Sequence, residues 1–126
     1  MATTLLIVDD HASFRTAARR LLERHGYRVV GEAADGSAAL EAARELRPDV
    51  VLLDVQLPDI DGFEVAARLS AAGRPPAIVM VSSRDGEDFG GLVEQSGARG
   101  FIPKYALSGP AMDAALGAPS RVSGSR

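Results

Sequence analysis

Short continuous apolar runs alternate along this chain with longer stretches in which apolar residues recur every three or four positions. Leu5-Leu6-Ile7-Val8, Val50-Val51-Leu52-Leu53 and the run from Ala77 to Val81 are the clearest of the first kind. Runs this short, rich in β-branched residues and bounded by turn formers, read as strands buried on both faces, as in the middle of a parallel sheet. With Arg28 to Ala33 and Gly100 to Pro103 they make five strands, the first running from Thr4 to Val8 and the third ending at Asp54.

The stretches between them carry helical periodicity. Phe14, Ala18, Leu21 and Leu22 share one face of a helix opened by the acid pair and Ser13 and stopped by Gly26, while Arg15, Arg19 and Glu23 point outward. Asp35-Gly36 turns the chain into a second helix from Ala38 to Leu46, ended by Pro48, and a third runs from about Phe63 to Ala72, before Pro75-Pro76. A fourth is expected from Gly86 to Ser96. Glu87 and Asp88 suit its N-terminus, but Gly90 and Gly91 in its interior would each cost about 1 kcal/mol relative to alanine. Ser108 caps a last helix through Leu116, stopped by Gly117. Strands and helices in alternation predict an α/β fold, a doubly wound five-stranded parallel sheet with five helices of the flavodoxin-like type. Residues 1 to 116 form the domain, and the Ser/Gly/Arg-rich residues 117 to 126 read as a flexible tail or linker.

Polar chemistry gathers at the C-terminal ends of the strands, where ligands bind in open α/β sheets. Asp9 and Asp10 follow the first strand, Asp54 ends the third, Ser82 follows the fourth and Lys104 the fifth. If the first and third strands are neighbours, three carboxylates converge. Left unpaired they would raise one another's pKa values unless a cation neutralises them, so the pattern asks for a metal.

Composition narrows what that cation is. The chain has 126 residues, 46% of them hydrophobic, which suits one domain with a single core. There is no cysteine and there are two histidines, His11 and His25, both read as surface residues, so an oxygen-bound metal is favoured. Lys104 is the only lysine among fourteen basic residues, which means either that an amine is needed there or that one residue escaped an arginine-favouring coding bias. The net charge of -3 and the lack of a basic block weigh against direct nucleic-acid binding. No signal-peptide pattern and no apolar run of roughly 20 residues is present, so neither export nor a membrane span is expected.

The segments Val8-Asp9-Asp10, Leu53-Asp54, Leu57-Pro58 with Asp61-Gly62, Val81-Ser82-Ser83 and Gly100-Phe101-Ile102-Pro103-Lys104, in that order and on strand ends, resemble the receiver domain of bacterial response regulators. Val8-Asp9-Asp10-His11 with Phe14-Arg15, and Val30-Gly31-Glu32-Ala33, are most similar to receivers of the NarL-type subfamily, whose output is a helix-turn-helix domain. The resemblance implies a cytoplasmic signalling switch rather than an enzyme, in which Asp54 accepts a phosphoryl group from a sensor histidine kinase. It implies Mg2+ as cofactor, held by Asp10 and Asp54 directly, by Asp9 through water and by the backbone carbonyl of Gln56. Lys104 would then pair with the phosphoryl oxygens and Ser82 would donate its hydroxyl to them. Phe101 would be the aromatic that follows the hydroxyl.

Two residues depart from the common pattern. Ser82 stands where threonine is commoner, and Tyr105 follows Lys104 where proline with a cis bond is frequent, so a trans Lys104–Tyr105 bond is expected. The output is either a downstream protein partner or a homodimer; the alternative is a receiver cut from a helix-turn-helix regulator, and the Ser/Gly/Arg tail fits both. A magnesium-dependent aspartyl-phosphate phosphohydrolase is the competing enzyme reading. It lacks the Asp-x-Asp order and the cap domain such phosphatases use. A nucleotide-binding reading lacks a Gly-rich loop after the first strand.

Overall fold

A computed structural model describes residues 2–84 and 89–117. Five strands, β1 (Thr4–Val8), β2 (Arg28–Ala33), β3 (Val50–Asp54), β4 (Ala77–Ser82) and β5 (Gly100–Pro103), alternate with helices α1 (Ala12–Arg24), α2 (Gly36–Leu46), α3 (Gly62–Ser70), α4 (Leu92–Gln95) and α5 (Gly109–Ala115). All strand pairs are parallel, in the order β2-β1-β3-β4-β5. This is the doubly wound, flavodoxin-like sheet that the alternation predicts.

Because side chains alternate across a strand, each run feeds two cores. Leu5, Ile7, Val50, Leu52, Val79 and Val81 pack with Ala18 and Leu22 of α1 and Met112 of α5. Leu6, Val8, Val51, Leu53, Ile78 and Met80 pack on the other face with Ala39 of α2 and Val65, Ala66 and Leu69 of α3. The residues Val50 to Leu53 are therefore buried on both sides, which is why they are apolar without a polar interruption.

The helix ends follow capping chemistry more closely than periodicity. Asp35 accepts from Ala38 N, Asp61 from Phe63 N and Ser108 from Ala111 N, each at a helix N-terminus. The expected opening of α1 by Ser13 is corrected. The cap is His11, with no side-chain hydrogen bond, and the helix begins at Ala12.

The larger correction concerns α4. Gly90 and Gly91 are not in a helix interior: Gly90 has φ +59 and Gly91 is the N-cap, so the described helix is four residues long. A left-handed residue interrupts helical hydrogen bonding, and glycine adopts that conformation without steric cost. The chain avoids the expected penalty by starting the helix after both glycines. The expected roles of Glu87 and Asp88, and the tail from 118 to 126, lie outside the described residues.

Candidate functional site

The strand order brings the polar strand ends together. Val8 of β1 is level with Leu53 of β3, Asp54 with Val81 of β4, and Ser82 with Pro103 of β5. Asp9, Asp54, Ser82 and Lys104 therefore emerge side by side at one edge. A single 3-10 turn, Lys104–Ala106, follows β5 at once, and the Lys104–Tyr105 bond is trans as expected.

Asp9 is fully buried and Asp54 is 4% exposed, whereas Asp10 is exposed. The four apolar residues preceding Asp54 explain how such a group is kept inside. Their burial contributes roughly 1.5 to 3 kcal/mol each, against roughly 3 kcal/mol for holding an acid displaced from 3.8 to about 6 in its ionised form. Burial is the main cause of that displacement. The charge of Asp9 adds to it, and Lys104 and the Gln56 N–H oppose it without cancelling it.

The carboxylates are not left unpaired: beside the metal that the sequence asks for, the chain supplies a cation of its own. Lys104 Nζ lies 2.6 Å from Asp9 Oδ2 and 3.4 Å from Asp54 Oδ2, so the one lysine already neutralises part of the cluster. Burial pulls the lysine's pKa down, but its contacts with Asp9 and Asp54 outweigh burial and leave it raised, so it is a cation at neutral pH. Counting acids along β1 and β3 omits a cation delivered from β5. Three carboxylates against one ammonium still leave an excess of negative charge. Asp9 Oδ2, apart from this ion pair, accepts no hydrogen bond among the described residues. Oxygen atoms of Asp9, Asp10 and Asp54, with a nitrogen of His11, lie within 4.8 Å of one another. An oxygen-rich, partly exposed donor set of this kind fits a hard divalent cation that keeps several waters.

Several supporting residues were not evident from pattern. His11 is exposed, as expected, and also joins the cluster. Its N–H donates to Asp9 Oδ1 at 2.8 Å, and its ring Nδ1 is 3.1 Å from that oxygen and 3.1 Å from Asp10 Oδ1. Arg15, expected to point outward, donates to the Asp9 carbonyl at 2.6 Å and to Glu32 Oε1 at 3.0 Å, and Arg19 reaches Glu32 Oε2 at 2.7 Å. Partial burial raises the Glu32 pKa, but the hydrogen bonds from the two arginines prevail and hold it below the ordinary range. The Phe14-Arg15 and Glu32 fragments, separate in sequence, thus meet in one brace behind Asp9.

On the other side, Gln56 N donates to Asp54 Oδ1 at 3.2 Å. The loop beyond it is tied to α2, because Asp59 accepts from Gly36 N at 2.7 Å and from Ser37 N at 3.0 Å. Those N–H bonds depress its pKa. Gly62 closes the loop where a Cβ would fall 2.3 Å from the Asp54 carbonyl oxygen, so the position admits no side chain.

Ser82 is buried, and its Oγ accepts from Arg84 N at 3.1 Å, so among the described residues its hydroxyl acts as an acceptor and keeps a hydrogen to donate. Phe101 is only partly buried and packs on Phe89, with ring centroids 5.7 Å apart, and Phe89 in turn contacts Phe63 at 5.6 Å. His25, like His11, is on the surface as expected, and it too is paired. Its Nε2 lies 2.9 Å from Asp113 Oδ2, linking the end of α1 to α5. Among the described residues no helix is long and apolar enough to cross a membrane.

Residues 5–113 match the family model described as the response regulator receiver domain. Over 105 residues the chain is 39% identical to the transcription regulator BvgA of Bordetella pertussis, covering 83% of this chain and 50% of BvgA. Over 103 residues it is 40% identical to the response regulator GacA of Pseudomonas aeruginosa, covering 81% of this chain and 48% of GacA. The chain thus spans about half the length of these relatives. Among solved structures, the signal receiver domain of the response regulator NarL from Mycobacterium tuberculosis superposes with a TM-score of 0.81 at 35% identity, covering 92% of this chain and 98% of that one.

Proposed function

The chain belongs to the response regulator receiver family, and on that premise we propose that Asp54 is the phosphoacceptor through which it works as a phosphorylation-dependent switch. The observation that carries the assignment is the convergence of Asp9, Asp10 and Asp54 with the only lysine at one sheet edge.

A carboxylate is a weak nucleophile, so the site's contribution is alignment and charge. One oxygen of Asp54 attacks phosphorus in the phosphohistidine of a sensor kinase. The O–P bond forms as the N–P bond breaks, and the electron pair leaves on the imidazole, which is protonated from solvent. The Gln56 N–H holds Asp54 Oδ1 in place. Lys104 exchanges part of its pairing with Asp9 for the phosphoryl oxygens, and Ser82 gives them its hydroxyl hydrogen. Bound Mg2+, held by Asp10 and Asp54, by Asp9 through water and by the Gln56 carbonyl, would screen the phosphoryl charge. Movement of Ser82 makes room for Phe101 to turn inward, which alters the face of α4 and β5.

The chain is a phosphoacceptor that assists its own modification and acts on no separate substrate. The likeness over half of BvgA and GacA supports a second layer, in which the domain sits in the cytoplasm and controls a transcription-regulating output through a partner or through dimerisation. Treatment with acetyl phosphate and Mg2+ should add one phosphate to the wild type by intact mass and none to Asp54→Asn. A fully modified Asn variant would overturn the assignment.

A further inference from the structure

Lys104 leaves β5 on a flexible four-carbon stem, yet its ammonium is held by three separate elements. Asp9 follows β1 and Asp54 ends β3. The third contact is the ring of Phe14 in the first turn of α1, whose centroid is 4.6 Å from Nζ. That distance is well inside the range over which a ring face attracts a cation. Phe14 is itself fixed, since it packs against the core shared by α1, α5 and the sheet.

We propose that Phe14 is a positioning residue for Lys104, a π-face that holds the ammonium at the acid cluster without neutralising it. A third carboxylate in its place would add to a site already rich in negative charge and would compete with the phosphoryl group for the lysine. A ring face adds no charge and takes up no hydrogen bond. Its attraction is also weakly directional, so it persists while Nζ moves from Asp9 towards incoming oxygens. The idea rests on the proposed role of Lys104 at the phosphoryl group, and it assigns Phe14 the task of keeping that charge in place.

The test uses the chain's own composition. Because Lys104 is the only lysine, protein labelled with carbon-13 lysine gives one ε-methylene signal, and a ring face beneath it shifts its protons upfield. Wild type and Phe14→Tyr should show the shift at fixed pH, and Phe14→Leu should lose it. Phosphorylation of Phe14→Leu by acetyl phosphate should be roughly two- to five-fold slower, with Phe14→Tyr close to wild type. Fluorinated phenylalanines at position 14 keep the shape while draining the face of negative potential, so the rate should fall stepwise with each fluorine even if Phe14→Leu folds poorly. A rate indifferent to fluorine reduces Phe14 to a packing residue, and an unshifted lysine signal in the wild type removes the contact; either overturns the proposal. If no sample takes phosphate while the wild-type signal is shifted, the phosphoacceptor reading fails and the contact stands.

Discussion

Lys104 makes its shorter ion pair with Asp9, at 2.6 Å, and the longer one with Asp54, at 3.4 Å. The lysine is therefore parked on a neighbour of the residue it is proposed to serve. Asp9 also acts on Asp54 directly, since its charge helps to raise the Asp54 pKa. Asp9→Asn should free Lys104 for Asp54 and remove the like charge, so both changes lower the Asp54 pKa from about 6. Carbon-13 detected titration of the Asp54 carboxyl without divalent cations checks this. An unchanged or higher midpoint would mean that the two acids are not electrostatically linked.

Stability should carry the same signature. The native pKa of Asp54 is raised, so between its ordinary value of 3.8 and about 6 the folded state binds more protons than the unfolded state. Stability attributable to this group then falls as pH rises through that window and is level above it. The decline amounts to roughly 3 kcal/mol at most. Asp54→Asn lacks it, so in urea melts at low ionic strength without metal the variant should gain on the wild type between pH 4 and pH 7. Parallel curves for the two proteins would contradict a buried, ionised Asp54.

Mg2+ should raise the melting temperature of the wild type, because a ligand that binds only the native state stabilises it by mass action. Asp10→Ala should abolish most of that gain while remaining folded, since Asp10 is exposed and outside both hydrophobic cores. Thermal scans with and without the ion decide it. An equal gain in both proteins would remove Asp10 from the ligand set.

Gly62→Ala should destabilise the domain by about 1 to 3 kcal/mol, through collision of the new methyl group with the Asp54 and Val55 carbonyl oxygens. Neither oxygen is the end of a flexible side chain, so relief requires moving the backbone that carries Asp54. Phosphorylation should slow in parallel. A loss below about 0.5 kcal/mol, the ordinary range for a surface change, would show that the loop yields freely.

Much of this was legible in the residues themselves, for identifiable reasons. The β3 run announced itself because a strand covered on both faces tolerates no polar residue until it ends, and Asp54 marks that end. Lys104 stood out by being the only lysine. The inward role of Arg15 did not, because helical periodicity assigns it an outward position while its partners, the Asp9 carbonyl and Glu32, come from beyond β1 and from β2. His25 is read as a surface residue and is one, but its partner Asp113 stands on the last helix, a contact that sequence distance hides. The extent of α4 was overestimated because an apolar residue on either side of a glycine pair looks helical, and one left-handed φ at Gly90 is invisible to periodicity.

The Asp9–Lys104 pair also sets an order of events for the chain as it is made. Asp9 follows β1, the first of the domain's five strands in chain order, yet its cationic partner follows β5, the fifth. An N-terminal piece that ends before Lys104 would have to bury Asp9 and Asp54 with no lysine to oppose them, so partial sheets are penalised until synthesis has passed β5. Such late closure favours folding of the domain as one cooperative unit over stepwise growth from β1.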